Sequence, residues 1–201
     1  MDDDKIKNEI NENIIKKNSS NPSNDENDKE LSQLKSLVNK LLNDNRKKGY
    51  DKYELDFAYS LKNKDFSLNF ENLAQNEETL YGYYRLDDYD EKKLEEIIIR
   101  LKDKSFQEIE HEIMVSSPVN YHEYISLDII IICRFILGKN VGLNQKEELS
   151  EKDKEKYLKK NYDTVYRVNR NIHSMNPTKK YNILKKENIE LLYLVKLKNT
   201  I

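Results

Sequence analysis

Residues 121–137 read Tyr-His-Glu-Tyr-Ile-Ser-Leu-Asp-Ile-Ile-Ile-Ile-Cys-Arg-Phe-Ile-Leu, with Gly138 behind them. From Ile129 to Leu137 the only charge is Arg134. A segment apolar on nearly all sides has no face to give to water, so it must be buried all round. Its length predicts a helix over 121–137 as the central element of the fold. The isoleucine run could also form a buried strand, but length favours the helix.

Upstream, Asp87, Asp88 or Asp90 can cap a helix carrying Leu94, Ile97, Ile98 and Leu101. Ser105-Phe-Gln-Glu108 has the spacing of a capping box, in which the serine hydroxyl takes an orphan N–H and the glutamate reaches back. The helix it opens places Phe106, Ile109 and Ile113 on one face. Ser116-Ser117-Pro118 ends it, because proline disfavours helix in the residue before it. Three helices are thus expected, at 90–102, 105–115 and 121–137. The stretch from Tyr89-Asp-Glu-Lys-Lys-Leu94 to Ser105-Phe-Gln-Glu-Ile109 resembles a Myb/SANT repeat, which implies a trihelical unit. The tryptophans of that family are absent. The third helix would carry Glu123, Asp128 and a wall of isoleucine where a DNA reader presents polar and basic side chains. A protein-binding use of such a unit is the better expectation.

Residues 50–86 are ambiguous: Tyr53, Phe57 and Leu61 suit a helix, whereas Phe66, Leu68 and Phe70 alternate like a strand. Tyr81, Tyr83 and Tyr84 beside Gly82 read as an aromatic edge of the core. Residues 29–48 predict a helix, with Leu31, Leu34, Val38 and Leu41 on one stripe, widened by Leu37 and Leu42, and Gly49 as its C-cap. The head, residues 1–28, is of low complexity. Ser19 to Asp28 holds no apolar residue and is expected to be disordered, and Ile6, Ile10 and Ile14 allow no more than a transient helix.

Downstream of Gly138, residues 138–150 read as a loop. Ser150-Glu-Lys-Asp153 caps a short charged helix reaching Lys160. Asp163 to Val168 reads as a strand, Asn176-Pro177-Thr178 as a turn, and Tyr181–Leu184 and Leu191–Leu197 as further β or helical material. Val165-Tyr-Arg-Val168, Tyr181-x-Ile183-Leu184-x-Lys186 and Leu191-Leu192 resemble the small C-terminal β element of a GINS replication-complex subunit. The resemblance covers only the last forty or so residues and lacks the basic helical pattern upstream.

Composition narrows function more than it names it. The 201 residues have a mean hydropathy of -0.93 and carry 36 % charged side chains, no Trp, three His and one Cys. Lys outnumbers Arg 29 to 6 and only Ala58 and Ala74 are alanines, which is what an AT-rich coding sequence produces. A lone Cys133 allows no internal disulfide, which fits a reducing compartment. The acidic, polar N-terminus has no apolar h-region, and the longest apolar-rich run falls short of the roughly 20 residues a membrane span needs. A cytoplasmic or nuclear protein without a membrane span is expected.

Several chemistries lack their residues. No glycine-rich phosphate loop is present. Glu108-x-x-His111 has no second copy, and His111, His122 and His173 are scattered, so no metal or other cofactor is implied. Cys133 lies among isoleucines, where a thiol is inert. Glu95-Glu96 and similar pairs read as an acidic surface. No catalytic residue emerges, and the chain does not read as an enzyme.

Charge is unevenly placed: residues 1–50 balance to zero, 51–150 carry -9 and 151–201 carry +7. Tail and middle are expected to neutralise each other in the fold, with an anionic partner for the tail as the sharper reading. In that tail Lys159, Lys160, Arg167, Arg170, Lys179, Lys180, Lys185 and Lys186 interleave with Tyr162, Tyr166 and Tyr181, and are the candidate residues for binding an anionic partner. Basic residues among aromatics are what single-strand nucleic-acid binding uses.

The fold expected from sequence is an α-rich α+β domain: a helical bundle-like core with a small C-terminal β or mixed element. Its organisation is a disordered head at 1–28 and one mostly helical domain at 29–201, with an acidic helical part at 29–143 and a basic mixed tail at 144–201. The expected function is a non-catalytic protein-interaction subunit or adaptor of an intracellular complex. The alternative is a nucleic-acid-associated protein acting through its basic tail.

Overall fold

A computed structural model describes residues 14–15, 25–43, 52–86, 97–98, 101, 113–115, 129–143, 149–169 and 178–200. The strands are β1 (Ile14–Ile15), β2 (Lys52–Ser60), β3 (Thr79–Arg85), β4 (Ile113–Val115), β5 (Ile129–Ile136), β6 (Asn140–Leu143), β7 (Thr164–Asn169), β8 (Thr178–Ile183) and β9 (Ile189–Thr200). The helices are α1 (Asp25–Val38), running into a π-helical turn at Asn39–Asn43, then α2 (Lys64–Ala74) and α3 (Glu151–Lys159). The strands form one sheet in the order β1-β2-β9-β5-β3-β4-β8-β7-β6, with every pairing antiparallel except β6 with β7. The chain is therefore a mixed, β-rich α+β fold, and the expected helical bundle-like core is overturned.

The decisive segment is the strand β5, not a helix. Its side chains alternate between two cores. Ile130 and Ile132 point to one face, while Ile129, Ile131, Cys133 and Phe135 point to the other, all buried. A central strand covered on both faces has no polar side, so its period of two disappears from the sequence. Of the expected helix at 121–137, residues 121–128 lie outside the described residues. Of the other two, Ile97, Ile98 and Leu101 are helical, whereas Ile113–Val115 is the strand β4. The remainder of 90–102 and 105–115, with the capping box, is also outside. A third helix is the core of the trihelical expectation, and β5 removes it.

The ambiguous stretch resolves in the opposite sense on both counts. Tyr53 and Phe57 belong to β2, and Phe66, Leu68 and Phe70 belong to α2. The side chain of Asn63 decides the second case: it accepts from the backbone N–H of Asp65 (3.0 Å) and of Phe66 (3.4 Å), satisfying orphan donors of the first turn. In β2 the register shifts between Leu55 and Phe57, so Asp56 is an extra residue opposite β9. That bulge moves the core face from Tyr53 and Leu55 to Ala58. A second shift, between Ile132 and Cys133, makes Leu192 the extra residue of β9. Leu192 and Tyr193 consequently enter the same core although they are neighbours in sequence.

One face of the sheet is covered by the α1 stripe, with Leu34, Val38, Leu41 and Leu42 buried against Tyr83, Tyr193 and Val195. The helix expected at 29–48 is present over its described part, but it begins at Asp25 and its last two leucines lie in the π turn; residues 44–48 and the expected C-cap Gly49 lie outside the described residues. In the head, Ile14 and Ile15 pair with Tyr59 and Ala58 as an edge strand. On the other face Phe135 of β5 meets Tyr181 of β8, ring centroids 5.3 Å apart. Those strands are three places apart in the sheet, about 14 Å if it were flat. The sheet therefore coils, bringing its β8–β7 part over its own centre. The basic stretch 144–201 is not an appended element: β9 lies between β2 and β5 in the interior of the sheet.

Two ionic clusters fix α1 and α2 to this sheet. On α1, Glu30 Oε1 accepts from Lys62 Nζ at 2.6 Å and from the Tyr193 hydroxyl at 2.7 Å. The Lys62 ammonium lies 4.7 Å from the centre of the Tyr193 ring. Burial pushes the Tyr193 hydroxyl up to about 12; the bond from Lys62 works against the rise and the Glu30 carboxylate adds to it. Burial also works against charge on Lys62, yet its bonds to Glu30 and Tyr193 hold it above its ordinary value. Both groups thus favour the folded chain below their ordinary values of 10.0 and 10.5, and lose that contribution as pH rises through the folded ones. For Glu30, burial opposes ionisation but the Lys62 and Tyr193 bonds prevail. Its carboxyl sits below the usual range, and its contribution is lost only as pH falls through that lowered value. Denaturant unfolding across pH should show stability falling above pH 10, with part of that fall removed in Tyr193→Phe. A Tyr193→Phe chain retaining the whole alkaline loss would assign it to other groups.

Candidate functional site

The second cluster carries α2. Arg134 of β5 donates from Nε (3.0 Å) and Nη2 (2.6 Å) to Glu190 Oε2 of β9, and from Nη2 to Glu71 Oε1 of α2 at 2.6 Å. The hydroxyl of Ser67 donates to Glu190 Oε1 at 2.5 Å. The guanidinium lies 4.6 Å from the centre of the Phe70 ring. Burial works against charge on Arg134, and the bonds to Glu71 and Glu190 outweigh it, raising its pKa. The carboxylate of Glu190 is 4 % exposed and has a donor on each oxygen. Such a network holds α2 in one position, through the face bearing Ser67, Phe70 and Ala74.

The other sides of α2 mix exposed polar side chains, Lys64, Asp65, Asn69 and Asn72, with exposed apolar ones. Phe66, Leu68 and Leu73 are exposed at 49 %, 64 % and 46 %. At helical spacing Phe66 and Leu73 share one flank of Phe70, and Leu68 lies on the outer side. Tyr81, the register partner of Arg134, is 39 % exposed on β3. Large apolar side chains left exposed on a fixed helix are a candidate contact surface. These residues escaped the sequence reading because alternating Phe66, Leu68 and Phe70 matched a strand; Asn63 was the signal that placed them on a helix.

The eight basic candidates fall into separate groups. Lys160, Lys185 and Lys186 gather at one end of the β6–β7–β8 part, together with Lys139, which sequence reading missed. Lys139 precedes β6, and only the parallel pairing of β6 with β7 brings it there. Asp163 is the hub. Its carboxylate accepts from the Lys139 backbone N–H at 2.8 Å and pairs with the Lys185 ammonium. That bond holds Lys185 above its ordinary pKa, against slight burial and with help from the charges of Asp163 and Glu187. Gly138, at φ +53°, closes over this hub; a Cβ there would stand 2.6 Å from Asp163 Oδ2. Lys139 Nζ donates to the Lys160 carbonyl at 3.2 Å and lies 4.6 Å from the centre of the Tyr162 ring. Lys159 ends α3, 81 % exposed and 3.9 Å from Glu155.

The remaining candidates do not join that end. Arg167 and Lys180 are register partners on the same side of β7 and β8. Arg167 is 5 % exposed, and burial lowers its pKa. Lys179 points to the opposite side, over the Tyr166 ring at 5.3 Å. Arg170 lies outside the described residues, as do His111, His122, His173, Glu95, Glu96 and Glu108. Among the described residues one ion pair, Lys198 with Glu54 at 3.9 Å, joins a cation of 151–201 to an acid of 51–150. The Lys185 pair is internal to 151–201.

The helix α3 is no anion site. Ser150 donates to Asp153 Oδ2 at 2.6 Å and accepts from the Asp153 N–H at 3.2 Å, so acidic side chains already occupy its first turn. The buried Cys133 thiol faces the Gly82 carbonyl at 3.6 Å, and burial raises its pKa far above the ordinary value. No His/Cys/Asp/Glu group among the described residues is placed to hold a metal, and none of their helices is long and apolar enough to cross a membrane.

A scan against protein-family models finds no matching family, and a search of curated proteins finds no match.

Proposed function

We propose that the protein is a non-catalytic interaction subunit or adaptor of an intracellular complex, and that α2 is where its partner docks. The observation that carries this reading is the exposure of Phe66, Leu68 and Leu73 on a helix held rigidly by the Arg134–Glu190 network. Fixed apolar side chains gain affinity on desolvation without the cost of ordering a loop. Replacing all three by Ser should lower the unfolding free energy by no more than about 0.5 kcal/mol per substitution, because these side chains are exposed. The same variant should lose the proteins that the unaltered chain retains in parallel affinity capture. Equal capture by both chains sinks the reading.

A second reading, nucleic-acid association through the basic stretch, is favoured by the gathering of Lys139, Lys160, Lys185 and Lys186 at one end of the sheet. Asp163 in their midst and the coverage of Tyr162 by Lys139 weigh against it. Phosphate contacts from this cluster would give a log–log salt slope of about -0.7 per contact on single strands. A flat slope with single-stranded RNA removes this alternative.

A further inference from the structure

The docking reading leaves the chemistry of the partner open, and the surroundings of α2 narrow it. Exposed around the helix, apart from Glu71, which is paired with Arg134, are Asp65, Glu77 and Glu78, with Glu187 on the 3-10 turn at Lys186–Asn188. That turn packs against α2. The exposed cations there are Lys64 and Lys186. Arg134 does not alter the balance, being held between Glu190 and Glu71, and Lys62 is turned to Glu30. The apolar side chains thus stand within an acidic rim.

We propose that α2 receives a basic amphipathic segment of another protein, its apolar side chains against Phe66, Leu68 and Leu73 and its lysines or arginines against Asp65, Glu77 and Glu78. This rests on the docking reading and adds the sign of the partner's charge. An acidic rim repels phosphate, so nucleic acid and anionic membrane surfaces are disfavoured at this helix. A second copy of the chain would have to present its Lys139–Lys160–Lys185 end to α2. That heterologous contact closes only at particular rotations and otherwise builds open chains.

Two synthetic helical peptides with the same leucine face, one with lysine and one with glutamate on the polar face, test this by fluorescence anisotropy with the full chain. The lysine peptide should bind about tenfold or more tightly than its glutamate twin, and less tightly as salt rises. Asp65→Lys/Glu77→Lys/Glu78→Lys should reverse the preference, and Phe66→Ser/Leu68→Ser/Leu73→Ser should abolish binding of both peptides. If the apolar variant abolishes binding while the charge variant leaves the preference unchanged, the partner chemistry is wrong and the docking reading stands. If the lysine peptide binds the apolar variant as well as the unaltered chain, α2 is not the site and both fall. Sedimentation showing chains of copies that the apolar variant returns to monomer would make the occupant a second copy, overturning the proposal.

Discussion

Arg134→Met should cost about 3–5 kcal/mol of folding stability, the range for breaking a buried ion pair from one side. The size comes from what is left behind. Glu190, 4 % exposed, would keep only the Ser67 hydroxyl as a partner and hold its charge in an apolar surrounding. Removing both ends, in Arg134→Met/Glu190→Leu, should restore much of the loss, because no uncompensated charge then remains. The two variants compared by chemical denaturation separate the worth of the pair from the penalty of stranding its carboxylate. Both should loosen α2, since Glu71 and Phe70 lose the guanidinium they rest on. If the single substitution changed stability by less than about 1 kcal/mol, Glu190 would have other means of solvation, and the rigid seating of α2 would go with it.

Ile131→Ala should be nearly as damaging, at roughly 2–5 kcal/mol. Ile131 is fully buried in the core facing Tyr59, Tyr84 and Phe135, and a cavity there has rigid strands on either side. Ile130→Ala should cost a similar amount although it opens a cavity in the other core, beneath α1. Comparable losses at two adjacent residues are what a strand covered on both faces produces. A typical domain has about 5–15 kcal/mol in all, so the double variant should be largely unfolded. Stability kept in Ile131→Ala together with loss of a binding partner would instead mean that this strand is an interface.

How far the sequence could be read follows from these same elements. The α1 stripe was legible because Leu34, Val38 and Leu41 bury one face and leave polar residues on the other. Burial of the isoleucine run was legible too, but its conformation was not, since a strand without a wet face carries no period. Bulges at Asp56 and Leu192 displaced the alternation of β2 and β9, so Tyr53, Phe57 and Leu61 imitated a helix. On α2 the imitation ran the other way. There the apolar residues facing water are the candidate binding surface, and a surface kept for a partner does not obey the inside–outside pattern that folding alone would impose. The basic candidates were found as residues but not as a site: Lys139 joins them only through tertiary pairing, whereas Arg167 and Lys179 leave for other faces.

The position of β9 has a consequence for how the chain acquires its shape. Lys52 pairs with Thr200, and Ile129 with Lys196, so β2 and β5 meet only across the last of the described strands in chain order. Until β9 has left the ribosome, β2 and β5 have no neighbour to join them, and each presents unpaired backbone to any other nascent chain. The β2–β9 and β5–β9 pairings close long loops, and non-local contacts of that kind slow folding. The hazard to such a protein lies less in its finished state than in the interval before β9 arrives between β2 and β5.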